Sequence, residues 1–178
     1  MSTTNWVLDP THSEVQFRIK HLMITNVTGS FSTFDVTAAT EGDDFSKAAI
    51  NFKAQVDSIS TNNQQRDTHL KSADFFESEK YPEIIFKSTN AGNRDADGNF
   101  TLNGDLTIRD VTKNISMNVD FGGITKDPYG NTKAGFTLSG KINRKDFGLT
   151  WNAALETGGV MVSDEVRLSA EIQLVKQA

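Results

Sequence analysis

Val166-Arg167-Leu168-Ser169-Ala170-Glu171-Ile172-Gln173-Leu174 alternates apolar and polar residues without a break. Successive side chains of a strand point to opposite faces, so this stretch is a β-strand with one apolar and one wet face. The same rhythm recurs along the chain. Val15, Phe17 and Ile19 alternate with Gln16, Arg18 and Lys20. Ile50, Phe52, Ala54 and Val56 form another set, as do Phe100, Leu102, Gly104, Leu106 and Ile108. Ile115, Met117, Val119 and Phe121 follow, and then Phe136, Leu138, Gly140 and Ile142. Antiparallel strands with one solvated face have this pattern. Asp95-Ala96-Asp97-Gly98-Asn99 and Asp127-Pro128-Tyr129-Gly130-Asn131 carry hairpin-turn chemistry. A further strand-like stretch runs from Val27 to Ala39 and ends at Glu41-Gly42-Asp43-Asp44.

Two segments break the rhythm. Leu22 to Asn26 suggests one short helical turn. Asn63 to Lys71 suggests a helix, with Thr61 or Asn62 as N-cap and Asp67 four residues before Lys71. Eight or so strands in mostly sequential order predict an all-β chain, an eight-stranded antiparallel β-barrel with one or two short helices, closed so that no edge is exposed. Residues 1–178 form one domain on this reading. Strands of about nine to eleven residues would give walls of roughly 30 Å. The pattern equally allows a plain packed β-sandwich. The stretch from Arg144 to Glu165, with Trp151 and Met161 as apolar anchors, reads as a long ordered loop that could cover one barrel end.

Composition narrows the function. The 178 residues hold 18 Lys and Arg against 23 Asp and Glu, a net charge of −5, and no basic run is present. A nucleic-acid partner needs clustered cations, so none is expected. Cysteine is absent, which removes disulfides, thiolate catalysis and cysteine metal sites. Aromatic content is dominated by 12 Phe, side chains with large apolar area and no polar atom. No apolar stretch is long enough for a transmembrane helix, and no signal peptide is legible, so the expected location is cytoplasmic.

Only three histidines occur, His12, His21 and His69. None has HxH or HExxH spacing, so no metal is expected. No nucleophile elbow and no phosphate-binding glycine loop is present. One run mixes charge with aromatics: Gln65-Arg66-Asp67-Thr68-His69-Leu70-Lys71-Ser72-Ala73-Asp74-Phe75-Phe76. On a helix, Arg66, His69 and Leu70 share a face. Two readings stand. Arg66 and His69 form an anion-binding mouth, or Leu70, Phe75 and Phe76 cap the barrel while Arg66 and Asp67 bond to nearby backbone.

Several motifs resemble the YceI-like family of polyisoprenoid-binding proteins. Trp6-x-x-Asp9-Pro10-x-His12-Ser13 is followed by Phe17-x-x-x-His21-Leu22 and Gly29-x-Phe31. The run Arg66-Asp67-x-His69-Leu70-Lys71-Ser72-x-Asp74-Phe75-Phe76 precedes Tyr81-Pro82-x-Ile84-x-Phe86-x-Ser88. Gly104-x-Leu106-Thr107-Ile108 and Asn143-Arg144-x-Asp146-Phe147-Gly148 complete the set. One departure is that Asp110 stands after Leu106-Thr107-Ile108-Arg109, where the family usually has Gly. The resemblance implies a lipocalin-like barrel with a long apolar interior that takes a polyisoprenoid, an isoprenoid quinone or a fatty acyl lipid. It implies a carrier, storage or stress-response role without catalysis, allows a homodimer, and includes periplasmic relatives.

On that reading the inward lining is Phe17, Ile19, Phe31, Phe52, Val56, Phe86, Leu106 and Phe136, with Phe75 and Phe76 at one end. The head group would meet Arg66 and His69, or else His12, Arg18 and His21. No cofactor is expected beyond a bound isoprenoid or other lipid. The alternative is an enzyme acting on a small apolar or lipid substrate through His69 with Asp67 or Asp74.

Overall fold

The computed structural model describes residues 3–92, 94–152 and 161–178. Its strands are β1 (Thr3–Leu8), β2 (Glu14–His21), β3 (Thr25–Phe31), β4 (Phe34–Glu41), β5 (Asp44–Gln55), β6 (Ile59–Ser60), β7 (Glu83–Ala91), β8 (Phe100–Ile108), β9 (Val111–Lys126), β10 (Thr132–Asn143) and β11 (Val162–Lys176). One helix, α1, spans Gln64–Leu70. Strands β1, β4, β5, β7, β8, β9, β10 and β11 pair in that order, and β11 returns to β1. The result is a closed antiparallel barrel of eight strands, not a sandwich.

The remaining strands explain why one end differs from the other. Strand β11 pairs with β1 at its C-terminal end (Leu174 with Leu8, Lys176 with Trp6) and with β2 over its earlier residues (Glu171 with Glu14, Arg167 with Arg18). Strands β1 and β2 are therefore two halves of one wall position, broken at Asp9–Ser13. Pro10 lacks an N–H and opens a 3-10 turn there, which Asp9 caps by accepting from the Thr11 N–H. The same carboxylate receives Lys133 Nζ at 2.5 Å and His12 Nδ1 at 2.8 Å. The Lys133 hydrogen bond, helped by His12 and opposed by burial, holds the Asp9 pKa down at about 2.

The expected single strand from Val27 to Ala39 is likewise broken, at Ser32-Thr33 between β3 and β4. Strand β6 continues the line of β5 after a 3-10 turn at Val56–Ser58 and pairs with β3. Leu22 to Asn26 is not helical. It is the tight β2–β3 hairpin, with the Ile24 N–H donating to the His21 carbonyl.

One barrel end is sealed. Trp6 is fully buried and donates its indole N–H to Thr40 Oγ1 at 3.0 Å. Its ring lies 4.8 Å from Phe45, which lies 4.8 Å from Phe136, and Phe121 completes the group 5.3 Å from Phe136. This aromatic floor satisfies its one polar atom and packs ring against ring across the barrel end. The two hairpin signals both close floor-side turns. Asp95 Oδ1 accepts from the Asp97 and Asn99 N–H groups, and Asp127 Oδ1 accepts from those of Tyr129 and Asn131.

Candidate functional site

Above the floor the barrel holds a cavity of about 790 Å³. Its wall is almost wholly aliphatic and aromatic. Phe45 and Phe136 stand at the bottom, Leu102, Leu106 and Val119 in the middle, and Ile142, Val166 and Trp151 toward the other end. Period-2 alternation produces this lining directly, since each strand points every second residue inward. Two glycines keep the bore open. A Cβ at Gly29 would collide with the Phe17 ring, and one at Gly104 with the Phe86 ring. Each ring lies flat against its neighbouring strand instead of filling the centre.

Phe17, Ile19, Phe31, Phe52, Phe75, Phe76, Phe86, Leu106 and Phe136 all line the cavity. Val56 does not. It falls in the 3-10 turn after β5, where alternation stops, and packs in the core at 1% exposure with its N–H on the Pro82 carbonyl.

The opposite end is built by α1 and the segments that follow it. Asn63 caps α1 by accepting from the Arg66 N–H, in place of the expected Thr61 or Asn62. Thr61 is buried and holds the start of the helix in two ways. Its N–H and hydroxyl donate to Asp67 Oδ1, and its hydroxyl and carbonyl accept from Arg66 Nε (2.8 Å) and Nη2 (2.7 Å). Asp67 is thereby committed to Thr61 and not to Lys71. His69 Nε2 lies 2.8 Å from Asp74 Oδ2, and its ring stands edge-on to Phe75 and Trp151 at 5.1 and 4.8 Å. Arg66, His69 and His21 all line the cavity, together with Lys20, Asn63 and Gln65.

His12 and Arg18 do not belong to this rim. His12 is bonded to Asp9 at the β1–β2 break, a structural position. Arg18 is exposed on the outer face of β2, as its place between inward Phe17 and Ile19 requires.

Sequence reasoning assigned no role to Arg144, although the Asn143-Arg144 motif marks it. Only 2% of its side chain is exposed. Its guanidinium donates to the carbonyls of Ser163 (2.9 Å), Leu149 (2.7 Å) and Trp151 (2.7 Å), and a carboxylate oxygen of Asp164 is 3.9 Å away. Burial pushes its pKa down and Asp164 opposes that shift. Arg144 thus ties the chain on both sides of residues 153–160 to the barrel rim. The expected flap in this stretch lies partly outside the described residues. Arg109 does similar work nearby. It takes the left-handed position, φ 57, in the β8–β9 turn just before Asp110, and bonds Glu77 at 3.1 Å.

The arrangement therefore offers an apolar bore with an aromatic floor at one end and a polar and aromatic rim at the other. Comparison with known proteins agrees with this architecture. A UPF0312 protein of Staphylococcus aureus (strain N315) is 38% identical over 171 residues, covering 96% of both chains. The structure of a Campylobacter jejuni YCEI protein superposes with a TM-score of 0.76 at 32% identity, covering 96% of this chain and 97% of that one. A polyisoprenoid binding domain from Saccharophagus degradans, implicated in plant cell wall breakdown, shares the fold with a TM-score of 0.71 at 13% identity, covering 97% and 98%. The model of the YceI-like domain matches residues 6–174, so the chain belongs to the YceI-like family.

Proposed function

We propose that this protein binds a long-chain lipid of the polyisoprenoid, isoprenoid quinone or fatty acyl type inside its barrel and carries it. The observation that supports this reading is the cavity of about 790 Å³, apolar from the Trp6–Phe45–Phe136 floor to the rim. Such a volume is in the range of small-molecule sites, and the few polar groups converge at one end. A tail in this bore gains about 0.8 kcal/mol per buried methylene, so ten of them supply roughly 8 kcal/mol before ordering costs. The head group lies at the rim near Arg66, His69 and His21. The S. degradans domain gives independent support that this fold can accept a polyisoprenoid.

A second reading is catalysis by the His69–Asp74 pair, an acid–base pair at the rim. Asp67 does not serve it, being turned to Thr61. Native mass spectrometry of freshly purified protein, with organic extraction of what it carries, tests the carrier reading. One long-chain lipid per chain supports it. A bare chain that takes up no added isoprenoid overturns it. Turnover of a lipid substrate that His69→Ala abolishes would favour the enzyme.

A further inference from the structure

The β2–β3 hairpin is built against three rules at once. Leu22 and Met23 both take left-handed backbone angles, φ 54 and 60. In this three-residue loop Leu22 and Met23 are the central residues of a turn whose left-handed positions ordinarily go to Asn, Asp or Gly, because a side chain there is strained. The tip is also apolar and open to solvent, with Met23 51% and Ile24 78% exposed. Finally, the adjacent wall places like charges opposite one another. Lys141 of β10 faces Arg167 of β11, and Arg167 faces Arg18 of β2, all on the outer surface. Directly opposed like charges destabilise a sheet. Strained backbone and repelling charge persist where function retains them.

The tip and the charges belong to one end. Lys20 and His21, immediately before the tip, line the cavity rim, and the Leu22 N–H is bonded to the Met161 carbonyl. Among the described residues, Arg18, Lys20, Lys141, Lys145 and Arg167 gather on this part of the wall, against Asp164 and Glu165. Lys141 and Arg167 keep 74% of their side chains exposed despite Glu165. Four residues further down the same face the sign reverses, where Glu171 stands opposite Glu14. On this outer face the charge is therefore ordered along the strands, positive toward the hairpin tip and negative toward the floor.

We infer that the Leu22-Met23-Ile24 hairpin tip and the Arg18–Arg167–Lys141 stripe form a docking surface for a lipid bilayer with anionic head groups. An exposed aliphatic tip enters the interface, and the cations, about 13 Å back along the strand, meet the head groups. Docking in this pose turns the cavity rim toward the membrane. Its role in exchanging a bound tail rests on the lipid-carrying reading; docking itself does not.

The test is co-sedimentation of the full chain with phosphatidylglycerol–phosphatidylcholine vesicles and with pure phosphatidylcholine vesicles. Wild type should bind the anionic vesicles and lose them as salt is raised. Met23→Ser with Ile24→Ser should lower partitioning about tenfold or more. Arg18→Glu with Arg167→Glu should remove the preference for anionic vesicles. Tyr129→Ser, at an 89% exposed residue on the floor side, should change nothing. Absence of wild-type binding to anionic vesicles overturns the inference, as does an equal loss from Tyr129→Ser. So does a wild-type dimer in vesicle-free sedimentation velocity that the Met23 and Ile24 changes convert to monomer, because the tip would then be covered by a second copy. Tail uptake from detergent, measured in parallel, keeps the two readings apart. Vesicle binding without uptake would refute the carrier and leave docking intact.

Discussion

The two ends of the barrel obey different rules. At the floor, the strands form a continuous ring, the turns use residues suited to them, and the left-handed positions of the β4–β5, β7–β8 and β9–β10 turns are Gly42, Gly98 and Gly130. At the rim, Gly148 is joined by five left-handed residues that carry side chains, Leu22, Met23, Asn62, Glu77 and Arg109. Such positions cost about 1–3 kcal/mol apiece and are tolerated only where neighbours over-determine them. Here the neighbours are visible: Met161 holds Leu22, Thr61 holds the start of α1, and Glu77 and Arg109 hold each other. The floor has the sequence of a stability device. The rim spends some of that stability on the shape of an opening.

The contrast can be broken most sharply with one substitution made at each end. Trp6→Ala should cost about 3–5 kcal/mol, because it empties a fully buried site and orphans the Thr40 contact. Trp151→Ala, at a half-buried rim residue, should cost less than half as much while speeding ligand release. Denaturant midpoints and release rates check the pair. If Trp151→Ala proved the more destabilising, the two-ended description would fail.

Arg144→Met sharpens the rim side. It leaves the Leu149, Trp151 and Ser163 carbonyls without their donor, a penalty of about 2–4 kcal/mol. The loss should be local. Hydrogen exchange should accelerate at residues 149–152 and 161–163 and stay unchanged around Trp6.

Gly104→Ala tests the bore between the ends. The new methyl meets the Phe86 ring and, at 2.6 Å, the Lys87 carbonyl oxygen, so the ring moves and the β7–β8 pairing shifts with it, for a cost of about 3 kcal/mol. Tail capacity, measured by competition with lipids of graded length, should fall with it.

The smallest effect is acid sensitivity at the β1–β2 break. The Asp9 carboxyl is held at about 2, below its ordinary 3.8, chiefly by Lys133. Its contribution is complete above pH 3.8 and is lost as the pH falls toward 2. After solvent screening this amounts to about 1 kcal/mol. Asp9→Asn should remove that part of the acid dependence in pH-resolved unfolding curves.

Much of this molecule was legible from alternation alone. Val166 to Leu174, Phe100 to Ile108 and Phe136 to Ile142 form strands with the inward faces expected of them. The Asp95 and Asp127 turns were equally plain, since each aspartate caps its own hairpin. What escaped lies where tertiary structure overrides local preference. Leu22-Met23 carries no hairpin signal, so a strained turn looked like a helical one. The breaks at Asp9–Ser13 and Ser32-Thr33 come from β11 pairing with β1 and β2 in succession, a non-local fact. Val56 left the lining because a 3-10 turn shifts the phase by which inward residues are counted. Arg18 was a poor rim candidate by its own alternation, and His12 is spent on Asp9. At the site, Arg66 and His69 were visible as an unusual pair, but the bond from His69 to Asp74, and not to Asp67, depends on Thr61 claiming Asp67.

If the barrel is a bore entered at the rim and stopped by aromatic rings at the floor, tail length decides affinity. Binding affinity across a series of isoprenoid alcohols of increasing chain length tests it most directly. Affinity should rise with each added unit until the tail reaches Phe45 and Phe136, and then stay level. Affinity that does not depend on tail length, or no binding at any length, would contradict it.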